Sequence, residues 1–502
     1  LIYDQGVRLK PVAITAKDKI CFLEERNCDS KHCPYAKGYF DRCQDALYEL
    51  VSQNDFIEKD IVCNVAQDHV VCPFELSLDA SLYADVIVCD YNYVFDPRVY
   101  LKRFFTEKGN YVFLVDEAHN LVERAREMYS ASLYLSNFED AKKLLPKDRK
   151  LVYNSIQNII RLLKKIRKSC EEEDNFQYYP VLDETLLSTI SNFCEHLDAY
   201  FQSEHDEQHD DTLKQLYFDC INFGKIADFF DEHFVYYIAV EGKDCMVKQF
   251  CMNPVHPISD ILKKGRSTIF FSATLSPIDY YLTLLGGDEN TKRLSLPSPF
   301  DAKNCCCMIA NQISTKYAKR QASLPALVSM IYASVSMKAG NYIVFAPSYA
   351  YMHQIYEAFV KCYPHIKTTL QAQNMSEKMK EEFLSSFDQS DSLHVYFCVI
   401  GGMFSEGIDL KQERLIGAII VGVGLAQINP QQDLIMHHFD EINHMGFSYA
   451  YQFPGMNKVL QSAGRVIRSS ADKGMILLID ERYTTNRYLS LLPPHYRHFK
   501  TV

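Results

Sequence analysis

Apolar, β-branched runs recur along this chain, and most are followed by a small or polar turn and then by helical spacing. They occupy residues 111–115, 267–271, 341–345, 395–400, 417–421 and 475–479. Continuous rather than alternating apolarity marks strands buried on both faces, as in a parallel sheet with helices on either side. Repeated strand–turn–helix order makes the architecture α/β. Between about residues 127 and 236 the period changes. Val152, Ile156, Ile159, Ile160, Leu163 and Ile166 fall on one face of a helix, and Leu186, Ile190, Phe193, Cys194, Leu197 and Tyr200 on one face of another. This stretch is predicted to be a helical insertion within an α/β domain. His205 and His209 stand among several Asp residues at 203–211. They have the chemistry for a metal, but nothing fixes their geometry, and the segment reads as a solvated loop.

At 502 residues the chain exceeds one ordinary core, so two to four domains are expected. The net charge of −11 offers no bulk attraction to polyanions, so a nucleic-acid partner would need locally basic grooves. The longest apolar stretch, 417–426, is glycine-rich and too short to cross a bilayer. The opening Leu1-Ile2-Tyr3-Asp4 is no signal peptide, so a cytoplasmic location without membrane contact is the default expectation. Seventeen cysteines change the picture, because six of them lie between Cys21 and Cys72. In a reducing compartment such a local cluster points to a metal or cluster site rather than to disulfides.

The run at 111–115 ends in Asp116-Glu117-Ala118-His119. An apolar strand delivering adjacent carboxylates to its end suits a nucleotide site. The first carboxylate can hold Mg²⁺ beside the phosphates, and the second can orient and deprotonate the attacking water. A solvated loop start is the bland alternative for this motif taken alone. The natural partner, a G-x-x-x-x-G-K-[ST] loop, does not occur in the 502 residues. The missing initiator Met leads to the expectation that such a loop lies upstream of Leu1.

Further segments follow in a telling order. They are Phe271-Ser-Ala-Thr-Leu275, Pro297-Ser-Pro-Phe300, Val344-Phe-Ala-Pro-Ser348, Gly401-Gly-Met-Phe-Ser-Glu-Gly-Ile-Asp-Leu410 and Gln461-Ser-Ala-Gly-Arg-Val-Ile-Arg468. Arg465 and Arg468, three residues apart at a helix start, share a face and can meet charge developing on a transferred phosphoryl group. With Asp-Glu-Ala-His, the set resembles motifs II to VI of superfamily 2 helicases. The Ser405-Glu-Gly-Ile-Asp409 core resembles the XPD and DinG group in particular. Cys21, Cys28, Cys33 and Cys72 have the spacing C-x6-C-x4-C-x38-C, and XPD and DinG relatives carry a [4Fe–4S] cluster at this place. The spacing is unlike a zinc ribbon, though zinc stays a second reading. Cys43 and Cys63 are taken as ordinary cysteines.

The resemblance implies two RecA-like motor domains, the first truncated, with an iron–sulfur insertion and a helical arch-like insertion. Residues 1–17, 81–126 and 237–290 would belong to the first motor domain and 291–502 to the second. Residues 18–80 would be the iron–sulfur insertion, in which the cluster orders a short segment lacking its own core, and 127–236 the arch-like insertion. ATP with Mg²⁺ would engage Asp116, Glu117, Gly407, Asp409, Gln461, Arg465 and Arg468. Gln461 would sense the γ-phosphate, and His119 would link that site to motif III. Ser348 and Ser405 would touch the DNA backbone. Lys164, Lys165, Arg167 and Lys168 read as a solvated helix face. The implied activity is 5′–3′ translocation by a monomer on single-stranded and forked DNA, in repair or replication. Two other readings share parts of the pattern: a non-hydrolysing DNA-binding protein derived from a helicase, and a DEAH-type RNA helicase with a zinc site.

Overall fold

The computed structural model describes residues 6, 8–24, 28, 30–203, 211–388, 392–405 and 414–502. These fall into two compact units, Leu1–Gly109 and Asn110–Val502. In the first unit, β1 (Pro11–Ala13) precedes three helices, α1 (Tyr39–Gln53), α2 (Lys59–Asp68) and α3 (Pro73–Ala80). It then pairs in parallel with β2 (Val86–Val88), Pro11 opposite Val86. The apolar faces of the helices meet. Ala46, Leu50, Val62, Val65, Ala66, Leu76 and Ala80 are buried together with Val12, Ile20 and Ile57. The segment between the strands therefore has its own core. This corrects the expectation of a segment ordered only by its cysteines, because amphipathic helical spacing runs through all three helices.

The second unit opens with β3 (Val112–Val115), followed by α4 (Leu121–Met128). The chain then runs through β4 (Ala131–Tyr134), α5 (Leu135–Leu144), α6 (Lys150–Glu171), β5 (Phe176–Tyr179), α7 (Glu184–Ser203), α8 (Asp211–Ala227), β6 (Phe234–Glu241) and β7 (Asp244–Cys251). By way of α9 (Val255–Leu262) it returns to β8 (Ser267–Phe270), which pairs in parallel with β3. The expected purely helical insertion ending near 236 is corrected. Strands β4, β7, β6 and β5, in that order, form an antiparallel sheet that continues to Cys251. Glu241 and Asp244 close the hairpin around Gly242-Lys243, with Gly242 at φ +60°, as a two-residue turn requires. Residues 234–238 are all buried, so the alternation that betrays an antiparallel strand is missing there.

Strands β3 and β8 also differ from expectation. Phe113 and Val115 are buried, whereas Val112, Leu114, Ile269 and Phe271 are exposed. This sheet has two strands, and only one of its faces is covered.

After α10 (Ile278–Leu284) comes a seven-stranded, fully parallel sheet. Its strands are β9 (Cys305–Ala310), β10 (Asn341–Ala346), β11 (Lys367–Leu370), β12 (His394–Val399), β13 (Gly417–Val421), β14 (Gly474–Ile479) and β15 (Lys500–Thr501). Their spatial order is β11-β12-β10-β13-β14-β9-β15. Central strands bury alternate residues in two cores. Ile343, Phe345, Ile420 and Leu478 pack on one side with Met456 and Val459. Val344, Val421 and Leu477 pack on the other with Val328 and Ile331 of α11 (Arg320–Val335) and with Ile355 and Phe359. Among the described residues no helix is long and apolar enough to cross a membrane.

His394 begins β12 with its ring 4.1 Å from that of Tyr396 and its Nε2 2.8 Å from the Thr369 hydroxyl. Burial, aided by Lys367, pushes its pKa down to about 4. Unfolded histidine titrates near ~6.5, so the unfolded chain takes up the proton first as pH falls. The stability His394 contributes is complete above that value and is lost as pH drops towards 4. The unfolding free energy of the wild type from urea titrations should fall over this window by roughly 1–3 kcal/mol more than that of His394→Gln.

Candidate active site

Strand β3 ends in a turn with Glu117 at φ +44°, a conformation that a residue with a Cβ adopts only under constraint. The turn leaves the Asp116 and Glu117 side chains exposed at the carboxyl end of a parallel strand, where α/β sheets bind ligands. The Glu117 N–H donates to Asp116 Oδ1 at 2.7 Å. Within the same turn His119 is buried.

Neighbouring β8 delivers Ser272 and Thr274 to this turn. The Ser272 hydroxyl lies 3.0 Å from Glu117 Oε2 and 2.7 Å from His119 Nδ1, and Thr274 Oγ1 lies 3.2 Å from the same nitrogen. On the other edge of the ring, the Gln461 side-chain amide meets His119 Nε2. In one proton arrangement consistent with these contacts Gln461 donates to Nε2, the Nδ1–H of His119 donates to Ser272, and Ser272 donates to Glu117, whose Oε2 also lies 3.3 Å from His119 Nδ1 directly. The carboxylate terminates a directional relay of the kind that polarises each successive bond.

Gln461 reaches His119 because α14 is placed with little freedom. A π-helical turn, Ser448–Gln452, leads from the segment after α13 (Pro430–Asn443) into α14 (Phe453–Ala463). Gly455 in α14 crosses Gly424 after β13 so closely that a Cβ on Gly424 would lie 2.3 Å from the Gly455 carbonyl oxygen. Gly424 also holds φ +67°. From α10, Tyr280 packs on Tyr449 and Phe453 at 5.0 and 5.2 Å, and the Tyr281 hydroxyl accepts from Asn457. The Ser-Ala-Thr turn and α14 are thus tied together twice, once through His119 and once through α10.

Beyond α14, Arg465 Nε donates to the Ser405 carbonyl at 2.9 Å. The backbone N–H groups of Arg468 and Ser469 both donate to Asp472 at 2.7 Å. Ser348 caps α12 (Tyr349–Cys362) at the carboxyl end of β10, its hydroxyl accepting from Tyr351 N–H at 3.3 Å. The expected phosphate contact by Ser405 is corrected. Its side chain is fully buried, accepts from Gly401 N–H at 3.0 Å, donates to Val399 O and meets Ser462. It braces the turn from inside. Gly407 and Asp409 lie outside the described residues, as do His205 and His209.

In the first unit, Cys21 ends a short helix, Cys33 heads a turn whose carbonyl accepts from Ala36 and Lys37, and Cys72 caps α3 ahead of Pro73. Burial pushes the Cys72 thiol up, while the N–H groups of Glu75 and Phe74 pull it down. Lys17 is raised despite burial because Cys28, Glu75 and Cys72 surround its ammonium, with Glu75 at 3.6 Å. That cation draws Cys28 and Cys72 to one neighbourhood and offsets thiolate charge. Cys43 and Cys63 sit within α1 and α2 and pack against the helical core. None of the seventeen cysteines is in a disulfide.

Residues 7–138 match the DEAD_2 family and residues 331–499 the Helicase C-terminal domain family. ATP-dependent DNA helicase CHL1 of Saccharomyces cerevisiae (strain YJM789) is 21% identical over 529 residues, covering 92% of this chain and 60% of that protein. ATP-dependent DNA helicase XPD of Sulfolobus acidocaldarius is 22% identical over 427 residues, covering 82% of this chain and 72% of that protein. A solved structure titled XPD_Helicase superposes with a TM-score of 0.63 at 17% identity, covering 100% of this chain and 88% of that one. The chain belongs to the XPD/DinG-like superfamily 2 helicases.

The structural likeness establishes an XPD-like fold with two RecA-like domains. The chain spans about 60% of the length of the CHL1 relatives it matches. Some parts of this XPD-like site were not legible in the sequence. Tyr281 and Asn457 carry no motif signal. Asp480, fully buried at the end of β14, accepts from Arg482 Nε at 2.7 Å and from Thr315 N–H at 3.1 Å. Those bonds hold its carboxyl below the usual range although burial alone would raise it. An Asp followed two residues later by Arg was the available clue.

Proposed function

We propose that the intact protein is an ATP-dependent translocase that separates forked DNA in the 5′–3′ direction. The observation that carries this reading is the relay from Gln461 through His119 and Ser272 to Glu117. It joins a helix of the second motor domain to the residue placed to activate water. Asp116 would hold Mg²⁺, which would neutralise phosphate charge. Glu117 would orient the water and take its proton, and Arg465 and Arg468 would face charge developing on the phosphoryl group. Movement of α14 would alter the hydrogen bond that Glu117 receives, so closure of the two domains and readiness for hydrolysis become one event.

Cys21, Cys28, Cys33 and Cys72 would hold a [4Fe–4S] cluster, a rigid polynuclear anchor for the loop at 21–38. What supports this reading is the chemistry of the donors: four cysteines outside disulfides at loop or cap positions, two of them near Lys17. The insertion between β3 and β8 would act as the arch through which one strand passes.

The deciding experiment follows ATP hydrolysis and strand separation by the full-length gene product on forks with a 5′ or a 3′ tail. Hydrolysis stimulated by single-stranded DNA, with unwinding only of the 5′-tailed fork, is expected. Stimulation by RNA alone would establish the RNA-helicase reading. Tight DNA binding with no hydrolysis would establish the non-hydrolysing one.

A further inference from the structure

Away from the nucleotide site, three histidines from distant parts of the chain meet. Asp231, Glu232 and His233 lead into β6, His256 lies in α9, and His438 sits on the buried face of α13 with Leu434, Ile435 and Phe439. Nδ1 of His233 is 3.3 Å from Nε2 of His438. The His233 ring lies 4.4 Å from that of His256 and 5.4 Å from that of His438, nearly perpendicular to the latter. Ligand atoms of Glu232, His233 and His256 all fall within 4.8 Å of one another. None of these residues belongs to the motifs of the ATP site.

We propose that Glu232, His233 and His256, whose ligand atoms converge, hold a divalent transition metal of the zinc class, with His438 closing in beside His233 as the fourth ligand, so that the metal pins the stem of the insertion to α13. Bonds of ~2.0–2.1 Å to imidazole nitrogen place two tetrahedral ligands about 3.3 Å apart, the spacing observed between His233 and His438. Asp231 gives His256 the support that metal-binding histidines need: one oxygen lies 2.5 Å from His256 Nδ1, leaving Nε2 available, while the other accepts the backbone N–H of His233 at 2.9 Å and holds the turn. The charges facing the site are Asp231, Glu232 and the Arg126 guanidinium, the last held by the Met252 carbonyl at 2.9 Å. Two negatives against one positive leave a net charge that favours a dication. His256 and Glu232 are exposed, which provides an entry path.

This site stands apart from the helicase reading and is tested on the full chain with cobalt(II) and zinc(II). One equivalent of cobalt is expected with the weak visible bands of nitrogen and oxygen ligation, without the intense ultraviolet charge-transfer bands that thiolates produce. His256→Asn, which removes an exposed ring and leaves no cavity, and His438→Gln should both abolish it, whereas Cys33→Ser should keep it. Asp231→Asn should weaken zinc binding by about 10–100-fold. Zinc should raise the melting temperature of the wild type and of Cys33→Ser, reversibly on chelation, and leave His256→Asn unmoved. Cobalt spectra and stoichiometry unchanged in His256→Asn, or no nitrogen-ligated equivalent in the wild type, would overturn the proposal.

Discussion

Glu117→Gln should lower DNA-stimulated ATP turnover of the full-length protein by about 10²–10⁴-fold, the range for losing a positioned general base. That range corresponds to about 2.7–5.5 kcal/mol of transition-state stabilisation. Glutamine keeps the shape of the side chain and an oxygen to accept the Ser272 hydroxyl, so the turn at φ +44° should persist. Nucleotide affinity should therefore change little while turnover collapses. A variant within tenfold of the wild-type rate would show that Glu117 is not the base. Gln461→Ala should behave differently. It removes the donor to His119 Nε2 but leaves both carboxylates in place, so hydrolysis should survive in part while strand separation per ATP falls. Equal loss of both activities would show that Gln461 acts on the chemistry rather than on its coupling to movement.

The second large effect concerns the cysteines. Anaerobically purified protein should contain about four iron atoms per chain and show a broad band near ~400 nm. Cys33→Ser and Cys72→Ser should lose both, while Cys43→Ser and Cys63→Ser should keep them, because those residues lie inside α1 and α2 rather than in a loop or at a helix cap. The helical core of the first unit is built from Ala46, Leu50, Val62, Val65 and Leu76, none of which depends on the cluster. Iron loss should thus leave the helical circular dichroism nearly unchanged, while limited proteolysis should open the loop at 21–38. Zinc as the sole metal, or iron content untouched by Cys33→Ser and Cys72→Ser together, would remove the cluster from the account.

Much of the architecture was legible before the fold was seen. Six long apolar runs became β3, β8, β10, β12, β13 and β14; the last four are buried on both faces, which needs an unbroken apolar run, whereas β3 and β8 are covered on one face only. The stripes at Val152–Leu163 and Leu186–Leu197 became the buried faces of α6 and α7. Strands β9 and β11 were missed. Cys305-Cys306-Cys307 lacks β-branched residues, and three of the four residues Lys367–Leu370 are polar, so neither shows the apolar run that marked the other strands of the sheet. The hairpin of β6 and β7 escaped for the opposite reason, since its first strand is buried on both faces and shows no alternation.

By itself the sequence determined which residue types stand at strand ends: the carboxylates after β3 and the hydroxyls after β8. It put Arg465 and Arg468 at a helix start, whereas they follow the end of α14. Periodicity reports which face of an element is buried, and a motif reports which chemistry its turn carries. Neither reports the angle at which two elements dock. Only the tertiary structure decided that Ser272 lies between Glu117 and His119, that Gln461 closes on His119 from a helix more than three hundred residues away, and that Ser405 faces inward. The meeting of His233, His256 and His438 was decided the same way. Such contacts depend on close backbone crossings, like that of Gly424 and Gly455, and on the packing of whole helices, to which no local stretch of sequence has access.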